Sequence, residues 1–477
     1  MMSGYDPASP NADAFIHDGE ILESLAQARR EAQDPARVRA ILDKAATFGG
    51  LSHREAAVLL EVEDPAVLSE VFALARKIKE HIYGRRIVMF APLYLSDYCV
   101  NNCRYCGYSH KNTCMVRRRL TQEELAEEVR VLEGLGHKRL ALEAGEDPVN
   151  CPLDYILECI RTIYGLKFDN GAIRRVNVNI AATTVENYTR LKDAGIGTYI
   201  LFQETYHAPT YRELHEGGPK RNYAWHTEAH DRAMKGGIDD VGLGVLYGLY
   251  DWKYDTVGML MHAEHLETAL GVGPHTLSVP RIRAASGVDA KDFPHLVSDD
   301  DFKKVVAVLR LAVPYTGMIL STREPMGYRE EVIALGISQV SAGSCTGVGG
   351  YAHTHKLGAA DATPQFEPAD HRSPTEVLKD LLRDGYIPSY CTACYREGRT
   401  GDRFMRLAKS GQIANVCQPN ALLTLQEYIE DYGDAELRKL GEAIIARELA
   451  SIPNPKAKEA AEAFLARIRA GERDLRF

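Results

Sequence analysis

Eight short apolar or β-branched runs, each followed by a stretch of helical period, constrain the fold of this chain more than any other feature. The runs lie near 86–92, 139–144, 175–181, 198–204, 239–248, 276–282, 317–323 and 337–342. Between them, residues 121–134, 152–164, 184–194, 222–235, 256–270, 300–312 and 325–335 space their apolar side chains as helices do. Regular alternation predicts a parallel sheet, because parallel neighbours need a crossover. Eight units in ~260 residues suit a closed (β/α)8 barrel of the TIM type, with a doubly wound open sheet as the alternative. Before them the chain reads as helices: Ser52 with Glu55 has capping-box spacing, and Asp64-Pro65 gives an N-cap followed by proline. Thr121 with Glu124 repeats the capping box inside the barrel region. The expected organisation is an N-terminal helical extension over 1–85, the barrel over 86–354 and a C-terminal extension over 355–477. The last opens on a polar, proline-containing linker and continues in helices near 374–385, 424–448 and 456–471.

Charge and hydropathy remove several classes of function. A net charge of −9 disfavours nucleic acid as a partner, since phosphate neutralisation needs a basic surface. The run Arg117–Arg119 is short and reads as a solvated, helix-flanking patch. No apolar stretch approaches the ~20 residues of a membrane span. Residues Met1 to Phe15 carry Asp6 and Asp13 and lack a signal-peptide hydrophobic region, so a cytoplasmic location is expected. The ten cysteines then argue for ligation rather than disulfides, because six fall in two clusters. Cys114, Cys151, Cys159 and Cys345 stand alone and read as packing residues or inert thiols.

The first cluster, Cys99, Cys103 and Cys106, forms C-x3-C-x2-C in the loop leaving the first strand. Such spacing lets one loop wrap three corners of a 4Fe–4S cubane. With no fourth thiolate beside it, one iron stays open to a substrate or cofactor. Zinc is the bland alternative, although zinc arrays more often pair two C-x2-C elements. The C-terminal end of a barrel strand is also where such folds keep their active sites.

Cys99-x3-Cys103-Arg104-Tyr105-Cys106, on an eight-repeat β/α chain, resembles the radical S-adenosylmethionine (SAM) superfamily. The resemblance implies that the open iron binds SAM and that cluster reduction releases a 5′-deoxyadenosyl radical. It also implies that Tyr105 packs against the adenine. Ala144-Gly145-Glu146 matches the family's Gly-Gly-Glu-like stretch at Gly145 and Glu146 but departs from it at Ala144. Asn177 and Asn179, with Gln203 and Glu204, fall where ribose contacts are expected. Gly244 lies in a glycine-containing adenine stretch, and Lys220 or Arg221 could meet the methionine carboxylate. Close packing and solvated basic residues are the plain readings of these positions.

The second cluster, Cys391-Thr392-Ala393-Cys394 with Cys417, has the spacing C-x2-C-x22-C. A zinc site with a remote ligand and a redox C-x-x-C are the alternatives to an auxiliary iron–sulfur cluster. Together with LFQETYH (201–207), LYGLYDWKYD (246–255), VGPHTLSVPRI (272–282) and LSTRE (320–324), the two sets resemble radical-SAM tyrosine lyases of FeFe-hydrogenase maturation. The related 2-iminoacetate synthases of thiamine biosynthesis share the barrel and the tyrosine chemistry but lack the second cluster.

That resemblance implies cleavage of L-tyrosine to p-cresol and dehydroglycine, then formation of carbon monoxide and cyanide on the auxiliary cluster. The cluster would carry an additional iron and a free cysteine, and the product would be an Fe(CO)2(CN) synthon. An electron donor and other FeFe-hydrogenase maturation proteins are the implied partners. Arg323, at the end of the seventh strand, has bidentate geometry for the tyrosine carboxylate; Ser321 shares its face, and Glu204 joins them as a candidate catalytic group. An ion pair of Arg323 with Glu324 or Glu204 is the alternative. For the additional iron, His262 is expected over His265 and His275, because it follows the strand-five loop whereas His275 precedes strand six. A non-enzymatic iron–sulfur carrier stays open as a different class, although a SAM-binding barrel is superfluous for it.

Overall fold

A computed structural model describes residues 4–357 and 364–477 of the 477-residue chain. Its centre is a closed barrel of eight parallel strands. These are β1 (Arg86–Ser96), β2 (Arg139–Ala144), β3 (Arg175–Asn179), β4 (Tyr199–Ile200), β5 (Val241–Gly244), β6 (Thr276–Ser278), β7 (Gly317–Leu320) and β8 (Gln339–Ser341). β1 closes it, pairing with β8 at Val88↔Gln339 and with β2 at Ala91↔Leu140. The open-sheet alternative is thereby excluded. Several strands are shorter than their apolar runs, yet pairing continues beyond them: Leu201 N donates to Gly242 O, Gln203 N to Gly244 O and Leu246 N to Glu204 O, which carries Phe202, Glu204 and Leu246 to the barrel mouth.

The predicted caps are present. Ser52 and Thr121 each form a reciprocal capping box, and the Asp64 side chain accepts from Ala66 N and Val67 N. The expected helix 222–235 is two, Tyr223–Thr227 and Ala229–Lys235. The expected helix 424–448 is also two, Ile413–Tyr432 and Ala435–Ala450, separated at Gly433 where Asp434 caps the second. N-terminal helix Pro65–Tyr83 packs on Asp299–Ala312, and His53–Leu60 packs on Trp252–Leu270. The linker expected from 355 falls partly on residues 358–363, outside the described residues.

A ninth strand, β9 (Ile387–Ser389), lies parallel to the first residues of β1, in register Arg86↔Ile387. This places the residues after β9 at the N-terminal end of the barrel. There the Tyr395 hydroxyl meets Arg139 at 2.9 Å and Thr198 at 3.0 Å, and Gly401 N donates to Asp240 Oδ1. The two cysteine sets therefore occupy opposite ends of one barrel.

Candidate active site

The first set sits on the β1 exit loop, which neighbouring loops hold at each step. Val100 N donates to Glu146 O, Asn102 N to Gly217 O and Arg104 N to Leu214 O. Arg117 donates to the carbonyls of Asp97 (2.7 Å) and Tyr108 (2.9 Å), and Arg118 N donates to Asp97 Oδ1. Arg117 is thus a tie for the cysteine loop, a correction to its reading as part of a solvated patch.

Cys99, Cys103 and Cys106 open onto one chamber with Tyr105, Glu143, Gly145, Glu146, Asn179, Glu204, Lys220 and Arg323. Burial pushes the Cys103 thiol up and the Cys106 thiol up to about 11, with Lys220 pulling both down. Thiols held this way become ligands when a metal displaces the proton. Among the described residues no three His, Cys, Asp or Glu side chains converge tightly enough for a single ion. Cys99, Cys103 and Cys106, opening together on one chamber, fit three corners of a cubane. Gly145 provides a second test of fit: a Cβ there would fall on the Tyr98 carbonyl and the Cys99 side chain, so the loop closes only over glycine.

Most of the expected SAM-contacting residues meet in this chamber. Tyr105 is fixed by a 2.7 Å hydrogen bond between its hydroxyl and His215 Nε2. Glu146 accepts from Asn101 Nδ2 at 2.6 Å. Glu204 adopts φ 71, a strained region for a residue with a side chain, and accepts from Lys220 Nζ at 2.6 Å. Burial works against the Lys220 charge, but Glu204 and Cys103 more than offset it and raise its pKa. Gly244 admits the Phe202 ring, on which a Cβ would fall.

Three residues depart from expectation: Gly244, which packs on Phe202 without lining the chamber, and Asn177 and Arg221. Asn177 is buried lower in the barrel, where its Oδ1 accepts from Thr198 N at 3.0 Å, so it braces β3 against β4 and does not line the chamber. Arg221 is exposed and donates to Glu216 O, away from the chamber that Lys220 enters.

A second, inner chamber adjoins the first and shares Glu143, Asn179, Phe202, Arg323, Gln365 and Phe366 with it. Phe90, Pro92, Ile200, Pro280 and Ile319 make its remaining wall largely apolar, and Ser321 joins Arg323 there. The Arg323 guanidinium stacks 3.4 Å from the Phe366 ring centroid and makes no ion pair among the described residues. Its two suspected partners are occupied: Glu324 by Arg281 and Arg283, Glu204 by Lys220. Sequence reasoning missed Glu143. A lone carboxylate in the apolar β2 run RLALEA was its signal, because parallel barrel strands are covered on both faces. Gln365 and Phe366 had no signal, since nothing local ties them to a barrel end.

At the opposite end, Cys394 and Cys417 pack with Phe404, Met405 and Ile413. A hydrogen bond from Cys394 lowers the Cys417 pKa, aided by Arg86, and Cys394 is raised in return. Burial pushes Cys391 up to about 11. The tail ties down this loop through Arg396–Asp474 and Arg476–Glu397 ion pairs. His275 is here, its ring 4.8 Å from Phe404 and its Nε2 3.4 Å from the Tyr395 hydroxyl.

His262 is not. It lies inside helix Trp252–Leu270, with Nδ1 3.0 Å from the Tyr206 hydroxyl and its ring among Phe15, His230 and His265. The expectation that it reaches the late cysteines is corrected, because the extension covers the end of the barrel that His275 occupies. Cys151 and Cys159 are buried, as packing residues should be; Cys114 is exposed and Cys345 half-buried.

The family model described as "Radical SAM superfamily" matches residues 93–263, and "Biotin and Thiamin Synthesis associated domain" matches 278–387. With the chamber just described, these define a radical-SAM enzyme, and that class carries a 4Fe–4S cluster and SAM. The 2-iminoacetate synthase of Salmonella typhimurium is 30% identical over 348 residues, 73% of this chain and 89% of that protein. A crystal structure of HydG, a maturase of the FeFe-hydrogenase, superposes with TM-score 0.93 at 61% identity, covering 97% of this chain and all (100%) of that one. HydG from Carboxydothermus hydrogenoformans gives TM-score 0.81 at 39% identity, covering 95% and 99% of the two chains. The chain belongs to the HydG family. Among the described residues no helix is long and apolar enough to cross a membrane.

Proposed function

We propose that this protein is a radical-SAM tyrosine lyase of FeFe-hydrogenase maturation. It cleaves L-tyrosine to p-cresol and dehydroglycine, then converts dehydroglycine to carbon monoxide and cyanide for an Fe(CO)2(CN) synthon. One observation carries the reading: a single barrel bears a cysteine triad at each end, with a second chamber holding Arg323 and Glu143 beside the first.

When bound at Cys99, Cys103 and Cys106, the cluster supplies the electron that cleaves SAM. Tyr105, Gly145, Glu146, Asn179 and the Glu204–Lys220 pair hold SAM against it. Arg323 and Ser321 hold the tyrosine carboxylate in the inner chamber. Phe202 and Phe366, in the wall common to both chambers, keep water from the reacting atoms. At the other end Cys391, Cys394 and Cys417 hold the auxiliary cluster, and His275 is the protein ligand nearest to hand for the additional iron. A free cysteine, an electron donor and other maturation proteins complete the system.

Anaerobically reconstituted protein, given SAM, reductant and tyrosine, should release p-cresol, carbon monoxide and cyanide. Formation of p-cresol without either diatomic product would reduce the reading to a 2-iminoacetate synthase. Absence of 5′-deoxyadenosine would leave only an iron–sulfur carrier.

A further inference from the structure

The wall shared by the two chambers carries one cation, Arg323, which makes no ion pair among the described residues, and one carboxyl, Glu143. Glu143 stands on β2 in register with Asn179 of β3, whose side chain favours its charged form. Protein surrounds its carboxyl, yet it faces cavity rather than packed side chains. The rest of the inner wall is mainly apolar and aromatic. A chamber that sets a guanidinium and a carboxyl group among aromatic, aliphatic and hydroxyl side chains is complementary to an α-amino acid with an aromatic side chain. Arg323 answers the α-carboxylate, and the α-amino group has no acceptor among the proposed substrate contacts.

We infer that Glu143 is that acceptor, binding the substrate α-amino group and taking one proton from it before the amine N–H is broken homolytically. The inference rests on the tyrosine-lyase reading and deepens it. In the step, R–NH3+ and Glu143 carboxylate become R–NH2 and Glu143 carboxylic acid. One N–H bond breaks, one O–H bond forms and no electron moves. The neutral amine keeps a lone pair that stabilises the nitrogen radical, which an ammonium cannot do.

The electrostatics agree. Burial pushes the Glu143 carboxyl up to about 8, with Asn179 and Arg323 pulling down. A peptide α-ammonium titrates at about 7.7–8.0, and that of a free amino acid, beside its own carboxylate, somewhat higher, so the transfer is modestly uphill and within reach of a general base. The chamber's other ionisable groups are Tyr94 of β1, Tyr105 and the cysteines of the exit loop, Tyr108, Glu146, the Glu204–Lys220 pair and His226. Glu204 and Lys220 neutralise each other, and burial keeps His226 uncharged while its Nε2 donates to Phe202 O.

The test compares wild type, Glu143→Gln and Glu143→Asp as full-length reconstituted protein, with tyrosine and with phloretate, which is tyrosine without its amino group. Calorimetric binding is expected to favour tyrosine over phloretate by about tenfold or more in wild type, and to lose that preference in Glu143→Gln. Formation of p-cresol by Glu143→Gln should fall by about 100-fold or more, with partial recovery in Glu143→Asp. The wild-type single-turnover rate should rise with pH through about 8, and in Glu143→Gln the rise should move to higher pH, where the substrate ammonium loses its proton unaided. A Glu143→Gln enzyme that keeps the preference and the pH profile overturns the inference. Equal loss of phloretate binding also overturns it, because the defect would then lie in the chamber and not at the amine. Wild type that shows the preference but makes no p-cresol overturns the lyase reading alone.

Discussion

Arg323→Lys isolates the hold on the substrate carboxylate. Arg323 stacks on Phe366 and has both candidate protein carboxylates already taken, so its two-pronged face is free for a ligand. Burial lowers its pKa to about 10, with Tyr94, Glu204 and Cys106 opposing, and it remains charged at neutral pH. Lysine preserves the charge but makes one directed contact where arginine makes two, and it loses the planar stack. One hydrogen bond between charged partners contributes about 1.5–3 kcal/mol, and the stack about 0.5–1. The sum, about 2–4 kcal/mol, converts to a fall of roughly 30- to 1,000-fold in kcat/KM for tyrosine. Titrating tyrosine while following p-cresol by chromatography measures it. Parallel 5′-deoxyadenosine assays should show slow, tyrosine-independent SAM cleavage persisting, since Arg323 makes no contact with the cysteine loop's ties. A kcat/KM within about threefold of wild type, less than 1 kcal/mol, would refute the assignment.

Other perturbations separate the remaining parts. Replacing Cys391 and Cys394 together by Ala should remove iron and sulfide of the late set and abolish carbon monoxide and cyanide. It should spare p-cresol, and loss of p-cresol in step would argue for a structural role instead. His275→Ala should lower iron content and cyanide yield, whereas His262→Ala should leave iron unchanged and lower thermal stability, as truncating a buried side chain does. Gly145→Ala should weaken SAM binding, read by equilibrium dialysis, because its Cβ meets the Tyr98 carbonyl. Asp370 tests the framework: burial raises its pKa, but Arg372 and Arg329 overcome this and hold it at about 2. Its stabilisation is therefore present above pH ~4 and disappears as pH falls from ~4 towards 2, on the order of 2 kcal/mol. Asp370→Asn should flatten that part of the urea-unfolding pH profile and cost about 3–5 kcal/mol at neutral pH, leaving Arg329 buried without its partner.

What the sequence revealed and what it hid divide along physical lines. The barrel was legible because eight apolar runs and seven helical spacers are local patterns, and the caps at Ser52, Asp64 and Thr121 mark their own helix starts. The exit-loop cysteines were legible because three ligands on eight residues need no tertiary information. Gly145, Glu146, Asn179 and Lys220 were legible through the family resemblance and Arg323 through its place at the end of the seventh strand, and all five line the same chamber. Asn177 and Arg221 show the limit of that reading. Moving two residues down β3 takes an inward side chain out of the chamber, and moving one residue past Lys220 turns it to solvent.

Where His262 and His275 lie relative to the late cysteines was hidden for a different reason. Strand order does say that His275, one residue before β6, stands at the N-terminal end of the barrel. It does not say where a C-terminal extension will dock, because both barrel ends offer loops and neither extension helix announces its target. The deciding element is β9, three residues, Ile387 to Ser389, two positions before Cys391. Pairing with Arg86–Val88 extends the sheet from the first residues of β1, not from its catalytic end. Once that short ladder forms, Cys391 and Cys394 must emerge at the barrel floor, beside Arg86, Tyr395 and His275. A strand this short carries no period to read, so the sequence contains both histidines and the strand but no local sign of which histidine shares a barrel end with the late cysteines.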